Sequence, residues 1–373
     1  MTTETFDCIV VGSGIIGAAC ASTLARTGMR VALVDCMGAG LGATAAGMGH
    51  IVVMDDSPAQ FFLTQYSQSL WQTLAHTLPP SAEFQQCGTL WVGADREEMD
   101  EVTRKHSFYQ ARGVSTEILG HDALIALEPQ LSRDLMGGLL VHSDAVVYAP
   151  IVAQFLAEQA VAHGAVVIDG EISAIGDGTA VFRDGRRLKS RRIVNAAGER
   201  SAELTAGIPI RKRKGHLAIT ERYPGFLHHQ IVELGYLKSA HSISEDSVAF
   251  NVQPRVTGQV LIGSSRQFDS PATVDYPILS RMLARAVAYM PGLADCSILR
   301  TWTGYRAATP DKLPLVGPWP EDDTIFLATG HEGLGITTSL ATAELLSAYF
   351  DGRSPAIPLE PFLPARVDRI AHV

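Results

Sequence analysis

Apolar and polar positions at the start of the chain are spaced for a strand, a tight turn, a helix and a second strand. A β-branched apolar run over 8–11 stops at once on Gly12-Ser13-Gly14-Ile15-Ile16-Gly17, an alanine-rich helical stretch runs to Arg26, and a second apolar run over 31–34 ends at Asp35. Farther on, the pattern predicts a helix over 57–78 closed by Pro79-Pro80, a strand over 88–93 and an exposed amphipathic helix over 96–112. A short helix over 122–127 and a strand over 137–142 follow. A helix over 149–163 with proline in its first turn leads into 164–168, which reads as a buried parallel strand, and then into a hairpin pair over 172–175 and 179–182. The run 192–198 is a strand ending in small residues that returns the chain to the first sheet.

From 215 to 263 the pattern switches to short alternating strands with turn signals, among them 216–220, 248–253 and 259–262, which predicts a largely antiparallel sheet in a second domain. A helix over 276–289 and a strand over 299–305 come next. The last part repeats the opening: a strand over 324–328, a glycine-rich turn over 330–335 and a helix over 336–350. The proline-rich tail after Gly352 is expected to wrap the surface. No internal repeat or low-complexity segment interrupts this order.

At 373 residues the chain exceeds what one hydrophobic core organises, and its 46% hydrophobic content is ample for two. The formal net charge is −9 and the basic residues are scattered except for Arg211-Lys212-Arg213-Lys214, read as a solvated turn, so no nucleic-acid surface is indicated. Cys8, Cys20, Cys36, Cys87 and Cys296 are odd in number, far apart and without Cys-x-x-Cys spacing. They indicate a reducing compartment and no metal or iron–sulfur site. The first apolar run is too short for a signal peptide and nothing later approaches the roughly 20 apolar residues of a membrane span. A cytoplasmic protein is the expectation.

The opening unit is a dinucleotide-binding fingerprint by position. Gly12 permits the turn, Gly14 lets a pyrophosphate approach the backbone, Gly17 lets helix pack on strand, and the helix N-terminus offers amides to phosphate. Asp35 stands where an acid meets a ribose hydroxyl pair, which argues against a 2′-phosphate and leaves FAD or NAD. The small-residue run over 38–50 suits close contact with a large flat ligand. His50 is its one imidazole, either facing the active site or a satisfied structural histidine.

With these segments in place, the chain resembles the FAD-dependent D-amino-acid oxidase and glycine oxidase superfamily along nearly its whole length. The likeness rests on the 12–35 fingerprint, the 44–48 loop, IVNAAG at 193–198, and the late stretches GYRAATPDKLPLVG and ATGHEGLGITTSLATA. Within that group AAGMGHIVVMDDS and GHEGLGITTSLATAELL look most like the catalytic (beta) subunits of D-hydroxyproline dehydrogenases and opine dehydrogenases, with hydrogen cyanide synthase a neighbouring branch.

The resemblance implies an α/β fold: a discontinuous Rossmann-type FAD-binding domain (1–80, 143–208 and 296–373) and an α+β substrate-binding domain with an antiparallel sheet (81–142 and 209–295). One dissociable FAD is implied, since the late TGYRAATPD lacks a tethering cysteine. Gly12, Gly14, Ile15, Ile16 and Gly17 would hold its pyrophosphate, Asp35 and Cys36 its adenosine ribose end, and Thr44, Ala45, Ala46, Gly47 and Met48 its flavin side. Ile172 would meet the adenine through its backbone, and Ala196, Ala197 and Gly198 would end their strand at the cofactor. Gly333, Leu334, Gly335, Ile336 and Thr337 would bring amides to the flavin N1–C2 edge, where a helix N-terminus favours negative charge.

Arg306 matches the arginine that clamps the substrate carboxylate and fixes its Cα–H over flavin N5. The implied reaction is hydride transfer from Cα, with His50, His331 or Glu332 as possible proton acceptors. The second arginine of glycine oxidases is missing from the late turn, where Glu332 places an acid. A mixed rather than cation-rich site is therefore expected, suited to a substrate with a ring hydroxyl or an extra cationic group. D-hydroxyproline is the leading substrate, an opine the alternative, and electrons would pass to partner subunits of a heteromeric complex. A stand-alone oxygen-reducing oxidase and a non-catalytic dinucleotide-binding protein are the competing readings.

Overall fold

Two eight-stranded sheets divide the work of the chain, one for each kind of pattern in the sequence. The computed structural model describes residues 5–235, 246–268 and 270–367. In the first sheet Thr5–Val11 lies between Val31–Asp35 and Arg187–Asn195, parallel to both. Asp322–Thr329 extends it in parallel beyond Arg187–Asn195, and Leu315–Trp319 closes that side as an antiparallel strand. The helix Ile15–Arg26 packs between Ala149–Ala162 and Gly335–Phe350 on this sheet. Its buried face is built mainly from alanines with Ile15, Cys20 and Leu24, and small side chains let three helices share one layer.

The second sheet runs in the order Ile298–Ala308, Arg211–Thr220, Val260–Phe268, Ser247–Pro254, Gln230–Glu233, Thr89–Gly93, Gly137–Val141, Thr116–Gly120. Every pairing is antiparallel except that of Gln230–Glu233 with Thr89–Gly93. Tyr276–Tyr289 covers one face, where Tyr289 stacks on Phe250 with ring centroids 4.9 Å apart. The other face looks toward the first sheet. The sheets meet where the short helix Ala43–Ala46 lies on Ile298–Ala308: a Cβ on Gly304 would come within 2.3 Å of the Ala46 Cβ, and Trp302 Nε1 donates to the Ala46 carbonyl.

Several expectations change. Val166–Asp169 pairs in parallel with Val31–Asp35 as the sequence predicts, but at the sheet's edge, where Val167 is 54% exposed rather than buried. The basic run 211–214 is no solvated turn. It opens the strand Arg211–Thr220, with Arg213 and Lys214 buried and Lys214 Nζ donating to the carbonyls of Pro271 and Thr273. Ile298–Ala308, placed by the sequence boundaries with the cofactor domain, pairs with Arg211–Thr220 along its length and belongs to the second sheet. The tail does more than wrap: Phe362 is buried in the core of the first sheet, and Arg366 binds Asp311.

Candidate active site

The dinucleotide turn is held by backbone that leaves no room for side chains. Gly12 has φ +101°, and a Cβ on Gly17 would lie 1.8 Å from the Gly12 carbonyl oxygen, so the helix rests directly on the turn. Asp35 organises the same loop through its carboxylate, which accepts from Ser13 N and Met37 N, each at 2.7 Å. Ile15 N donates to Thr44 Oγ1 at 2.9 Å, tying the small-residue loop to the helix start. Gly14 offers no capping side chain, so the helix N-terminus keeps its affinity for an anion.

A cavity of about 370 Å³ runs from Asp35 and Ile172 past this turn to the second sheet. Every site residue singled out from the sequence lines it except Gly17, Ala45 and Thr337. Gly17 sits one turn too deep, against Gly12; Ala45 is exposed on the outer side of its helix. Thr337 is buried and turned the other way, its hydroxyl donating to the His50 carbonyl at 2.8 Å. It braces the late turn against the small-residue loop. The glycine cradle, the uncapped helix and a cavity lined from Asp35 and Ile172 through to the second sheet fit a dinucleotide carrying a flavin.

At the far end of the cavity the charges differ from the sequence reading. Arg306 and Arg213 face each other on neighbouring strands, an arrangement that like charges tolerate only with an anion between them. Glu332 is that anion: its Oε1 accepts from Arg213 Nη1 at 2.6 Å. Arg306 lies across Gly215, where an added Cβ would come within 2.6 Å of its Nη1, and donates to the Ser265 carbonyl at 3.1 Å. Arg266 is buried in the same wall. Three guanidinium groups therefore surround one carboxylate, and the site is cation-rich where the sequence suggested a mixed one. Burial alone would raise the Glu332 carboxyl, but Arg213, Arg266 and Arg306 outweigh it and hold it below the ordinary range.

Replacing Glu332 by Gln should cost about 1–3 kcal/mol, less than for a fully buried pair because Glu332 is one-fifth exposed. Because the folded state lowers this carboxyl, its contribution is present at neutral pH and is lost on acidification. Thermal unfolding should show the difference from wild type at neutral pH, and the gap should close as pH falls below about 4. An equal gap at every pH would contradict the ion-pair role.

His50 and His331 line the cavity, but burial pushes each down to about 3, and both are neutral at ordinary pH. His331 Nε2 is spent on Thr342 Oγ1 at 2.9 Å. Neither has the basicity of a proton acceptor, and Glu332, engaged by Arg213, is a poor one too. That corrects the reading of the three as bases. Sequence reasoning also missed Arg213 and Arg266, together with Gln60, Trp91, Gln230 and Asn251 on the cavity wall. The one available signal was the alternation of Arg213, Gly215 and Leu217 along a strand.

One cavity thus joins a dinucleotide cradle to a group of guanidinium side chains on a second sheet, the arrangement of a flavin-dependent oxidoreductase. The chain belongs to the FAD dependent oxidoreductase family (DAO), which matches residues 7–349. It is 28% identical to hydrogen cyanide synthase subunit HcnC of Pseudomonas aeruginosa, across 97% of this chain and 96% of that protein. It is 24% identical to an opine oxidase subunit of Rhizobium meliloti, across 90% and 91%. The crystal structure of glycine oxidase from Geobacillus kaustophilus superposes with a TM-score of 0.86 at 25% identity, covering 97% of this chain and 98% of that one. Among the described residues no helix is long and apolar enough to cross a membrane, and no His, Cys, Asp or Glu group is arranged to hold a metal.

Proposed function

We propose that this chain oxidises a secondary amino acid at its Cα–N bond and passes the electrons to a partner subunit. The observation that carries the reading is Arg306, a half-buried cation laid over Gly215 at the end of the dinucleotide cavity. Its fork matches a carboxylate with two parallel hydrogen bonds, which fixes position and orientation together. FAD, bound along the glycine cradle, supplies the acceptor for the hydride leaving Cα. The protein's own part is binding and exclusion of water: Arg306 holds the carboxylate, Glu332 keeps Arg213 from repelling Arg306, and the cavity walls desolvate the amine.

None of His50, His331 and Glu332 is fit to take the amine proton, so the amine must arrive neutral. kcat/KM should rise with pH along the deprotonation of the substrate amine. No further inflection is expected between pH 5 and 8, because His50 and His331 titrate at about 3. A limb that stays in place when the substrate is exchanged for one of different amine pKa would contradict this.

D-hydroxyproline and an opine are the two substrate readings. The first needs Glu332 free to meet a ring hydroxyl, but that carboxylate is held by Arg213, and the excess of arginine favours an acidic substrate such as an opine. Transfer to a partner is supported by the relatives, two of which are named as subunits, and by the absence of cysteine clusters in a chain with five free cysteines, which also fits the cytoplasm. Turnover of the isolated FAD-loaded chain should be faster with an artificial dye than with oxygen. Equal rates would overturn the partner reading and leave an oxidase.

A further inference from the structure

The strand Arg211–Thr220 shows one face to the cavity, and its other face holds a buried histidine that the mechanism does not use. Arg213, Gly215 and Leu217 line the cavity, so Lys214 and His216, alternating with them, point away from it. The ladder between this strand and Val260–Phe268 is interrupted at the same place. Lys214 stands opposite Gln267 and pairing resumes at Ala218 opposite Ile262, so residues 215–217 face residues 263–266, one more than they can pair with. The Arg306 guanidinium lies over Gly215 at this interruption and donates to the Ser265 carbonyl at 3.1 Å.

His216 bridges the gap. Its backbone N donates to Ser265 Oγ at 2.9 Å, and its ring Nδ1 lies 2.8 Å from the same oxygen. On the other side of the ring, Asp275 N donates to Nε2 at 2.9 Å. A backbone amide can only donate, so Nε2 is the unprotonated nitrogen, and a neutral imidazole then carries its hydrogen on Nδ1 and gives it to Ser265. Burial, with Lys214 beside the ring, holds His216 below the ordinary histidine range against the pull of Asp275, which keeps it in this neutral form. The outer end is anchored in turn. Asp275 Oδ1 accepts from Ile278 N at the start of the helix Tyr276–Tyr289, and Lys214 Nζ holds the carbonyls of Pro271 and Thr273 just before it. The imidazole therefore stands between a fixed segment and the residue whose carbonyl receives Arg306.

We infer that His216 is a positioning residue for the carboxylate clamp: it locks Ser265 where the strands do not pair, and so holds the Ser265 carbonyl against the Arg306 guanidinium. This rests on the amino-acid reading above and adds to it a residue on the far side of the sheet from the cavity. An arginine fixed before the substrate arrives does not have to be ordered by it, and the saving appears as affinity. The bond to Asp275 steadies the ring, and the bond to Ser265 is the one that reaches the clamp.

The test compares His216→Asn, whose amide NH₂ can take the place of Nδ1–H, with His216→Gln, whose longer side chain reaches the place of Nε2 and leaves Ser265 Oγ without the ring donor. The FAD-loaded proteins are titrated with (methylthio)acetate, a carboxylate with sulfur in place of the amine nitrogen. Binding is followed by perturbation of the visible flavin band and by inhibition of flavin bleaching. His216→Gln should raise Kd about 3- to 10-fold, and His216→Asn should stay within about twofold of wild type. Ser265→Ala, which removes the acceptor and leaves the histidine, should match His216→Gln. FAD content and Tm are measured for all three, and should either histidine variant fail to fold, Ser265→Ala decides the matter. A Kd unmoved in His216→Gln and Ser265→Ala while Arg306→Ala still raises it, or one raised equally by Asn and Gln, overturns the positioning role and leaves amino-acid oxidation standing. If (methylthio)acetate does not bind and no amino acid bleaches the flavin, both readings fall.

Discussion

Truncating Arg306 to alanine should lower kcat/KM by about 30- to 4,000-fold, the equivalent of about 2–5 kcal/mol for removing one partner of a desolvated charge pair. The size follows from placement. Arg306 is half-buried against Gly215 and the Ser265 carbonyl, in a wall where burial lowers the guanidinium against the opposing pull of Glu332. A substrate carboxylate entering such a place without its partner would be desolvated and would lose the two parallel hydrogen bonds that the Arg306 fork offers. FAD content should not change, because this strand meets the cofactor loop through Gly304 and Trp302, whereas the Arg306 side chain lies over Gly215. Gly215→Val should reproduce part of the loss, since its side chain takes the space in which the guanidinium lies. Steady-state kinetics on purified, FAD-loaded variants would show this, and a change within about twofold for Arg306→Ala would mean that the clamp lies elsewhere.

Gly17→Val should leave a colourless protein. A Cβ at this position would meet the Gly12 carbonyl oxygen at 1.8 Å, and backbone cannot step aside as a side-chain end can. The helix Ile15–Arg26 must lift off the strand, which opens the turn that would hold the pyrophosphate and disturbs packing against two further helices. Overpacking of this kind costs about 1–3 kcal/mol of stability. FAD affinity should fall further, because the helix N-terminus and the Asp35 loop lose their alignment. Gly120→Ala, whose methyl meets nothing within 4 Å, serves as the control. Flavin absorbance per chain and Tm report the outcome, and full flavin content in Gly17→Val would contradict the assigned cradle.

Much of the first sheet and its cofactor turn was legible because the information is local. Gly12 to Asp35 is one contiguous unit in which Gly17 rests on Gly12 and the Asp35 carboxylate closes back on Ser13, so spacing alone defines it. Arg306 was legible through its motif. Arg213 and Arg266 were not, because each reaches the cavity by the face its strand presents, and that face is set by pairing with strands distant in sequence. Four successive basic residues look like a solvated turn until the pairing partner is known. The same holds for Glu332, whose role changes from reading a substrate to neutralising Arg213 only once a strand 119 residues away is brought beside it. Val167 erred the other way: an apolar run looks buried from sequence, but its strand lies at an edge.

The most direct test mixes the FAD-loaded protein anaerobically with secondary amino acids and follows the visible flavin band in wild type and in Arg306→Ala. The account predicts bleaching by a secondary amino acid in wild type and a rate lower by at least about 30-fold in the variant at subsaturating substrate. A band that no amino acid bleaches, or one that bleaches equally fast without Arg306, would contradict it.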